Sequence, residues 1–177
     1  MALLAVTRGQ HFASIESLPS ASWAVFFLAG AYITRGWIFP VLLAEAVLLD
    51  YAAITYGGVS SFCVSPAYSL LILAYGALWF AGKIFSSVYK PQWSALLPLV
   101  LLAFAAGIVA EIISSGGFYY FSGRFTDPTL AEFGGRLTKY APSMFSNFAF
   151  YLGCATVVHV IAVSLRPIAV EDHSPRV

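Results

Sequence analysis

The chain reads as an all-α, polytopic membrane helical bundle with five clear transmembrane helices and a partial N-terminal one. Three observations lead there. Of 177 residues 60% are hydrophobic and only 10% charged, against roughly a quarter charged in an average soluble domain. The mean hydropathy is +0.83. Long stretches carry none of the nine basic and eight acidic residues. A bilayer core of about 30 Å needs about 20 apolar residues in a helix, and within it every backbone N–H and C=O must pair internally, so the spans are helical. A net charge of +1 argues against nucleic acid as a partner, since that needs a basic surplus.

Five apolar runs follow in order: about Ser20–Thr34, Trp37–Tyr56, Pro66–Phe85, Ser94–Ile113 and Ser143–Leu165. The first is short, and Trp23, Tyr32 and Trp37 are placed to seat it at the interfaces. Breakers fall between runs or at their ends: Pro19, Gly57-Gly58, Pro66, Pro91, Gly116-Gly117, Pro142 and Pro167. Pro40 and Pro98 fall in first turns, where the missing N–H costs little. Ahead of the first run, Ala2–Val6 reads as the last turns of a helix. Its charge order is wrong for a secretory signal, because Arg8 follows the apolar residues. The whole chain is one membrane domain, with 166–177 as a tail.

Basic residues set the orientation. Arg35, Lys83, Lys90, Arg166 and Arg176 fall on one side if the spans alternate. The other side has Gly57–Ser65, without a basic residue, and a long Ser114–Pro142 connection in which Arg124, Arg136 and Lys139 are offset by Asp127 and Glu132. The first side is therefore expected to be cytoplasmic, with the C-terminus.

Glu45, Asp50 and Glu111 fall inside the runs. A charge at mid-membrane costs about 2.5–3.5 kcal/mol on insertion scales, so such groups face an interior or a water-filled cavity. Glu45 reads as a carboxyl bonded between helices. His159 reads as an interior hydrogen-bonding residue, with no second intramembrane histidine for a bis-histidine haem, and Cys154 as a small packed residue. The pairs Ala77/Ala81, Ala103/Gly107, Ala106/Ala110 and Ala149/Gly153 allow close helix packing. Cys63 stands just before a helix N-terminus, a position that favours thiolate. Cys154 lies about 16 Å into its own helix at 1.5 Å per residue, so no bridge between the two is expected.

His11, Asp50, Cys63, Tyr68, Arg136 and Tyr140 all fall at the outer mouth, where a donor, an acceptor, a soft ligand and a cation suit capture of an external solute. Phe118-Tyr119-Tyr120-Phe121 and Phe125 offer stacking walls or a lid. No G-x-x-x-x-G-K-[ST] phosphate loop is present, so the chain itself is not expected to hydrolyse ATP. The arrangement reads as that of a transporter or a receptor rather than an enzyme, with Gly116-Gly117 and Gly134-Gly135 as turn glycines.

The strings Leu18-Pro19-Ser20-Ala21-Ser22-Trp23-Ala24-Val25-Phe26-Phe27, Asp50-Tyr51 and Cys63-Val64-Ser65-Pro66-Ala67-Tyr68 resemble the BtuM family. Its members are small bacterial membrane proteins regarded as cobalamin-specific S-components of energy-coupling factor (ECF) type transporters. The resemblance runs from about His11 to His159. It implies a six-helix S-component fold, cobalamin as transported ligand held at the outer face, and a cysteine reaching the cobalt. On that pattern His11, Asp50, Cys63, Tyr68 and Arg136 match positions lining the site. Cys63 is the expected cobalt ligand, and His11 either a second axial donor or a hydrogen-bond partner. Thiolate is a soft, strong donor for such a metal, and its ligation would displace cyanide from the arriving vitamin. A coupling subunit with its ATPases is the partner implied. S-components commonly dock through an A-x-x-x-A patch on their first helix, which is expected here to be truncated. Two other readings stand beside this one: an S-component for another vitamin, and a small anchor subunit of a redox complex using His159 or His11 for haem.

Overall fold

The computed structural model describes residues 2–8, 20–57 and 65–165. Its helices are α1 (Ala2–Arg8), α2 (Ser22–Tyr32), α3 (Ile38–Tyr56), α4 (Leu70–Val88), α5 (Leu96–Phe121) and α6 (Leu130–Ser164). Short 3-10 turns, Pro66–Ser69 and Trp93–Ala95, lead into α4 and α5. No strand occurs among the described residues. The all-helical expectation therefore holds.

Four helices are long and apolar enough to cross a membrane: Ile38–Tyr56, Pro66–Val88, Trp93–Phe121 and Leu130–Ser164. The expected fifth, Ser20–Thr34, is shorter than the sequence suggested. Only Ser22–Tyr32 is helical, 11 residues, or about 16 Å at 1.5 Å per residue, roughly half the hydrocarbon thickness. Ile33 turns to extended backbone and ends it. The carbonyls of Ile33 and Thr34 accept from Lys83 Nζ at 3.1 and 2.9 Å, so the chain just past the end of α2 is tied to α4. At the other end, the N–H of Ala21 donates to the hydroxyl of Thr7 at 3.2 Å. Thr7 in turn donates to the Leu3 carbonyl at 2.9 Å and is itself buried. A residue of α1 thus does the work of a missing local cap.

The long Ser114–Pro142 connection needs correction. α5 continues to Phe121 and α6 already starts at Leu130, leaving only 122–129 outside helix. Gly116-Gly117 and Gly134-Gly135 are helical, not turn glycines. A Cβ at Gly116 would lie 3.3 Å from the Phe133 ring, and one at Gly117 would collide with the Leu70 side chain. Two neighbours approach the α5 backbone where it has no side chain. Pro142, read as a breaker, lies inside α6. The Ser146 hydroxyl donates to its carbonyl at 2.7 Å and that of Thr138 to Gly135 at 2.9 Å, so side chains supplement the backbone bonds around it.

The core is built on α2, α4 and α5. Trp23, Ala24, Phe26 and Phe27 of α2 are buried against Ala74, Tyr75, Leu78 and Ala81 of α4. Phe26 stacks on Tyr75 with centroids 4.2 Å apart and planes 3° from parallel. Gly30 and Gly82 bring the two backbones together. A Cβ on Gly30 would run into the Trp79 carbonyl, and one on Gly82 into that of Phe27. Ala103, Ala106, Gly107 and Ala110 present the small face of α5, as expected of its small-residue pairs. Ala149 and Gly153 on α6 are exposed instead, as is Cys154, which was expected to be packed. The spanning helices turn large apolar residues outward, Leu97, Val100, Leu101, Phe104 and Ile108 on α5 alone. Apolar surface on this scale suits lipid and not water. Tyr32, Trp37 and Trp93 at one end, and Tyr56 and Phe121 at the other, are exposed at the helix limits, where aromatic belts form.

Candidate functional site

Two of the expected site residues are bonded to each other. Asp50 lies six residues before the end of α3, and Tyr68 in the turn before α4. The Tyr68 hydroxyl donates to Asp50 Oδ2 at 2.5 Å, the length of a charge-assisted O–H···O bond. Pro66 pre-sets that turn, standing where no N–H is required. The bond joins two helices at the bundle end that the sequence marked as the mouth. His11 and Cys63 lie outside the described residues.

Arg136 lies on α6 at the same end. α5 packs against both the Tyr68 turn and α6. The guanidinium stands over Phe125 at 4.5 Å from the ring centroid, with Tyr119 at 5.6 Å and Tyr140 at 6.0 Å. Cation–π contacts of this kind are worth about 0.5–1 kcal/mol each at exposed sites. Its ion pair with Glu132, one turn away, is 3.8 Å long and part-exposed, so it adds little. The aromatic residues expected as stacking walls therefore stack first on one another and on this arginine. Tyr119–Phe125 centroids are 4.7 Å apart, and Tyr119 and Phe133 are parallel to within 16°.

Tyr119, one ring of an aromatic run in the sequence, becomes distinct only in the folded chain. It is 2% exposed. Its hydroxyl donates to Glu132 Oε2 at 2.9 Å and accepts the Thr129 N–H at 3.0 Å. The Thr129 side chain accepts the Glu132 N–H at 3.2 Å, capping α6. Thr129-x-x-Glu132 has the S/T-x-x-E spacing of a capping box, the one signal that marks this helix start. Arg136, one turn further on, owes its place to this anchor.

Below the arginine, α5 and α6 enclose a cavity of about 280 Å³ lined by Glu111, Ser114, Ser115, Phe118, Phe133, Arg136, Tyr140 and Met144. Glu111 is 4% exposed, and its Oε1 accepts from Ser115 at 2.6 Å.

The opposite end of the bundle differs. His159 Nδ1 pairs with the Tyr32 hydroxyl at 2.9 Å and Nε2 with the Tyr89 hydroxyl at 2.6 Å. The expectation of a hydrogen-bonding histidine is met, at a half-buried rather than an interior position. With both ring nitrogens engaged, this arrangement leaves none for an iron ligand. The clamp borders a larger, mostly apolar cavity of about 480 Å³ that includes Phe27, Phe85, Trp93 and Leu152. Among the described residues no group of three or more His, Cys, Asp or Glu is arranged to hold a metal ion. Comparison of the chain with protein-family models and with curated proteins finds no match.

Proposed function

We propose that this chain is a cobalamin-binding membrane uptake protein of S-component type. It captures the corrinoid at the end carrying Asp50, Tyr68 and Arg136, and passes it to the other side of a bacterial inner membrane. The observation that carries the reading is the Tyr68–Asp50 bond. It joins two residues of the strings resembling the BtuM family, 18 positions apart, at one mouth of an apolar bundle. The Tyr68 turn follows directly on the segment containing Cys63, and Arg136 adds a fixed cation at the same end.

On this reading α2 serves as a short fifth span, with the C-terminus cytoplasmic. Cys63 supplies a thiolate to cobalt, displacing cyanide where the vitamin arrives with it; His11 acts as second axial donor or hydrogen-bond partner. Asp50, Tyr68 and Arg136 supply acceptor and donor groups to the corrin periphery.

Purified protein in detergent, mixed with cyanocobalamin, tests it. A stable red complex with a shifted cobalt spectrum is expected, and Cys63→Ser should bind with the unshifted spectrum. No co-purifying corrinoid in wild type, or the same spectrum in both, defeats the assignment of Cys63. A cobalamin-dependent bacterial strain lacking its importer should also grow at low vitamin when it expresses this chain.

A further inference from the structure

The α5–α6 cavity is built, not left over. The two helices touch above it, where Gly116 admits the Phe133 ring, and below it, where a Cβ on Gly107 would come within 2.7 Å of Phe145. Between these contacts they part around Glu111, Ser115, Arg136 and Tyr140. Glu111 is 4% exposed, yet only its Oε1 meets a donor, from Ser115 at 2.6 Å. Its Oε2 has no protein partner among the described residues and keeps surface open to the cavity, where a solute group can reach its lone pairs. The nearest cation lining the same cavity, Arg136, makes its ion pair with Glu132 instead.

The depth also suits a ligand. Glu111 lies six residues below Gly117, the level at which α5 meets Leu70 beside the Tyr68 turn, or about 9 Å at 1.5 Å per residue. α6 is 35 residues long, about 52 Å by the same rise, far more than a bilayer core. Its first turns, with Arg136, therefore extend to the water-facing side.

The opposed charges decide what enters. A simple cation meets Arg136, and a simple anion meets Glu111. A neutral group that donates at one edge and accepts at the other suits both. We infer that this cavity receives a primary carboxamide arm of the bound solute, its N–H2 donating to the Glu111 carboxylate and its carbonyl accepting from Arg136. The inference rests on the proposed function, since the corrin rim carries such arms. An arm of five heavy atoms, each near the roughly 30 Å³ of a water, needs about half of the 280 Å³.

The test uses cyanocobalamin and its monocarboxylic isomers, each with one peripheral carboxamide hydrolysed to an acid, binding to the detergent-solubilised full chain. Wild type should bind one isomer at least about tenfold more weakly than cyanocobalamin, because a buried polar group left without a matching partner costs that much or more. Glu111→Gln should restore that isomer alone to within about threefold. Equal binding of all isomers by wild type overturns the inference, as does an isomer that stays weak in Glu111→Gln. Should that variant not insert, Glu111→Asp keeps the charge one methylene short; it should reject the same isomer and lose several-fold for cyanocobalamin, and unchanged affinity overturns the inference. Failure of wild type to bind cyanocobalamin at all overturns the proposed function, and this inference with it.

Discussion

The α2–α4 pair and helix α6 are held in place by different forces. Between α2 and α4 the backbones themselves touch, at Gly30 against Trp79 and at Gly82 against Phe27, and buried aromatic and small residues fill the remaining space. α6 presents most of its surface outward, with only Phe148, Tyr151 and Leu152 buried. Its fixings are polar and sit near its two ends: Thr129, Glu132 and Tyr119 at one, His159 with Tyr32 and Tyr89 at the other. The two cavities lie along this helix. Backbones in direct contact give a rigid post, because closely packed groups have no alternative arrangement nearby, although the larger cavity borders one end of this pair as well as α6. A helix pinned by a few hydrogen bonds can shift when one of them is exchanged, which is what a binding surface needs.

The comparison can be broken most directly at the glycines. Gly30→Ala or Gly82→Ala should each cost at least about 3 kcal/mol, since a backbone oxygen cannot move aside as a side chain does. Yield of inserted protein and its melting in detergent report the loss. Gly107→Ala should cost clearly less, because its nearest neighbour is the tip of the Phe145 ring; equal losses at all three positions would contradict the rigid-post description.

Tyr119→Phe comes next, at about 1–3 kcal/mol, because the Thr129 N–H and Glu132 lose a buried partner. Protease cleavage within 122–129 should rise with it, and a variant as resistant as wild type would show that α6 is anchored elsewhere. Tyr89→Phe removes one bond of the His159 clamp and should cost about 1 kcal/mol, read as a lowered melting temperature. Smallest is Glu132→Gln. Its ion pair with Arg136 is part-exposed, so screening leaves it worth about 0–1 kcal/mol. Melting in low and high salt should differ little between this variant and wild type.

The mouth was legible in part. Asp50 and Tyr68 were both placed there, but only folding shows that one bonds the other. Arg136 falls at the bundle end where Asp50 and Tyr68 meet. It was read as a residue of a long connection, whereas it sits on a capped helix and stacks over Phe125. Tyr119 was read as one ring in an aromatic run, and nothing local marks its hydroxyl as the group that ties α5 to α6.

By itself the sequence determined the all-helical class and the approximate position of the four long spans, because hydropathy and internal backbone pairing are properties of one segment at a time. It misjudged Ser114–Pro142 because glycine and proline weaken a helix on average, while their tolerance depends on what lies beside them. Phe133 and Leu70 occupy the space that Gly116 and Gly117 leave open. The tertiary structure alone decided which distant groups meet: Thr7 with the start of α2, Lys83 with its end, and Tyr32 with His159, 127 positions away. Each of these satisfies a polar group that its own segment leaves unpaired, and burial makes that partner necessary without fixing where in the chain it comes from.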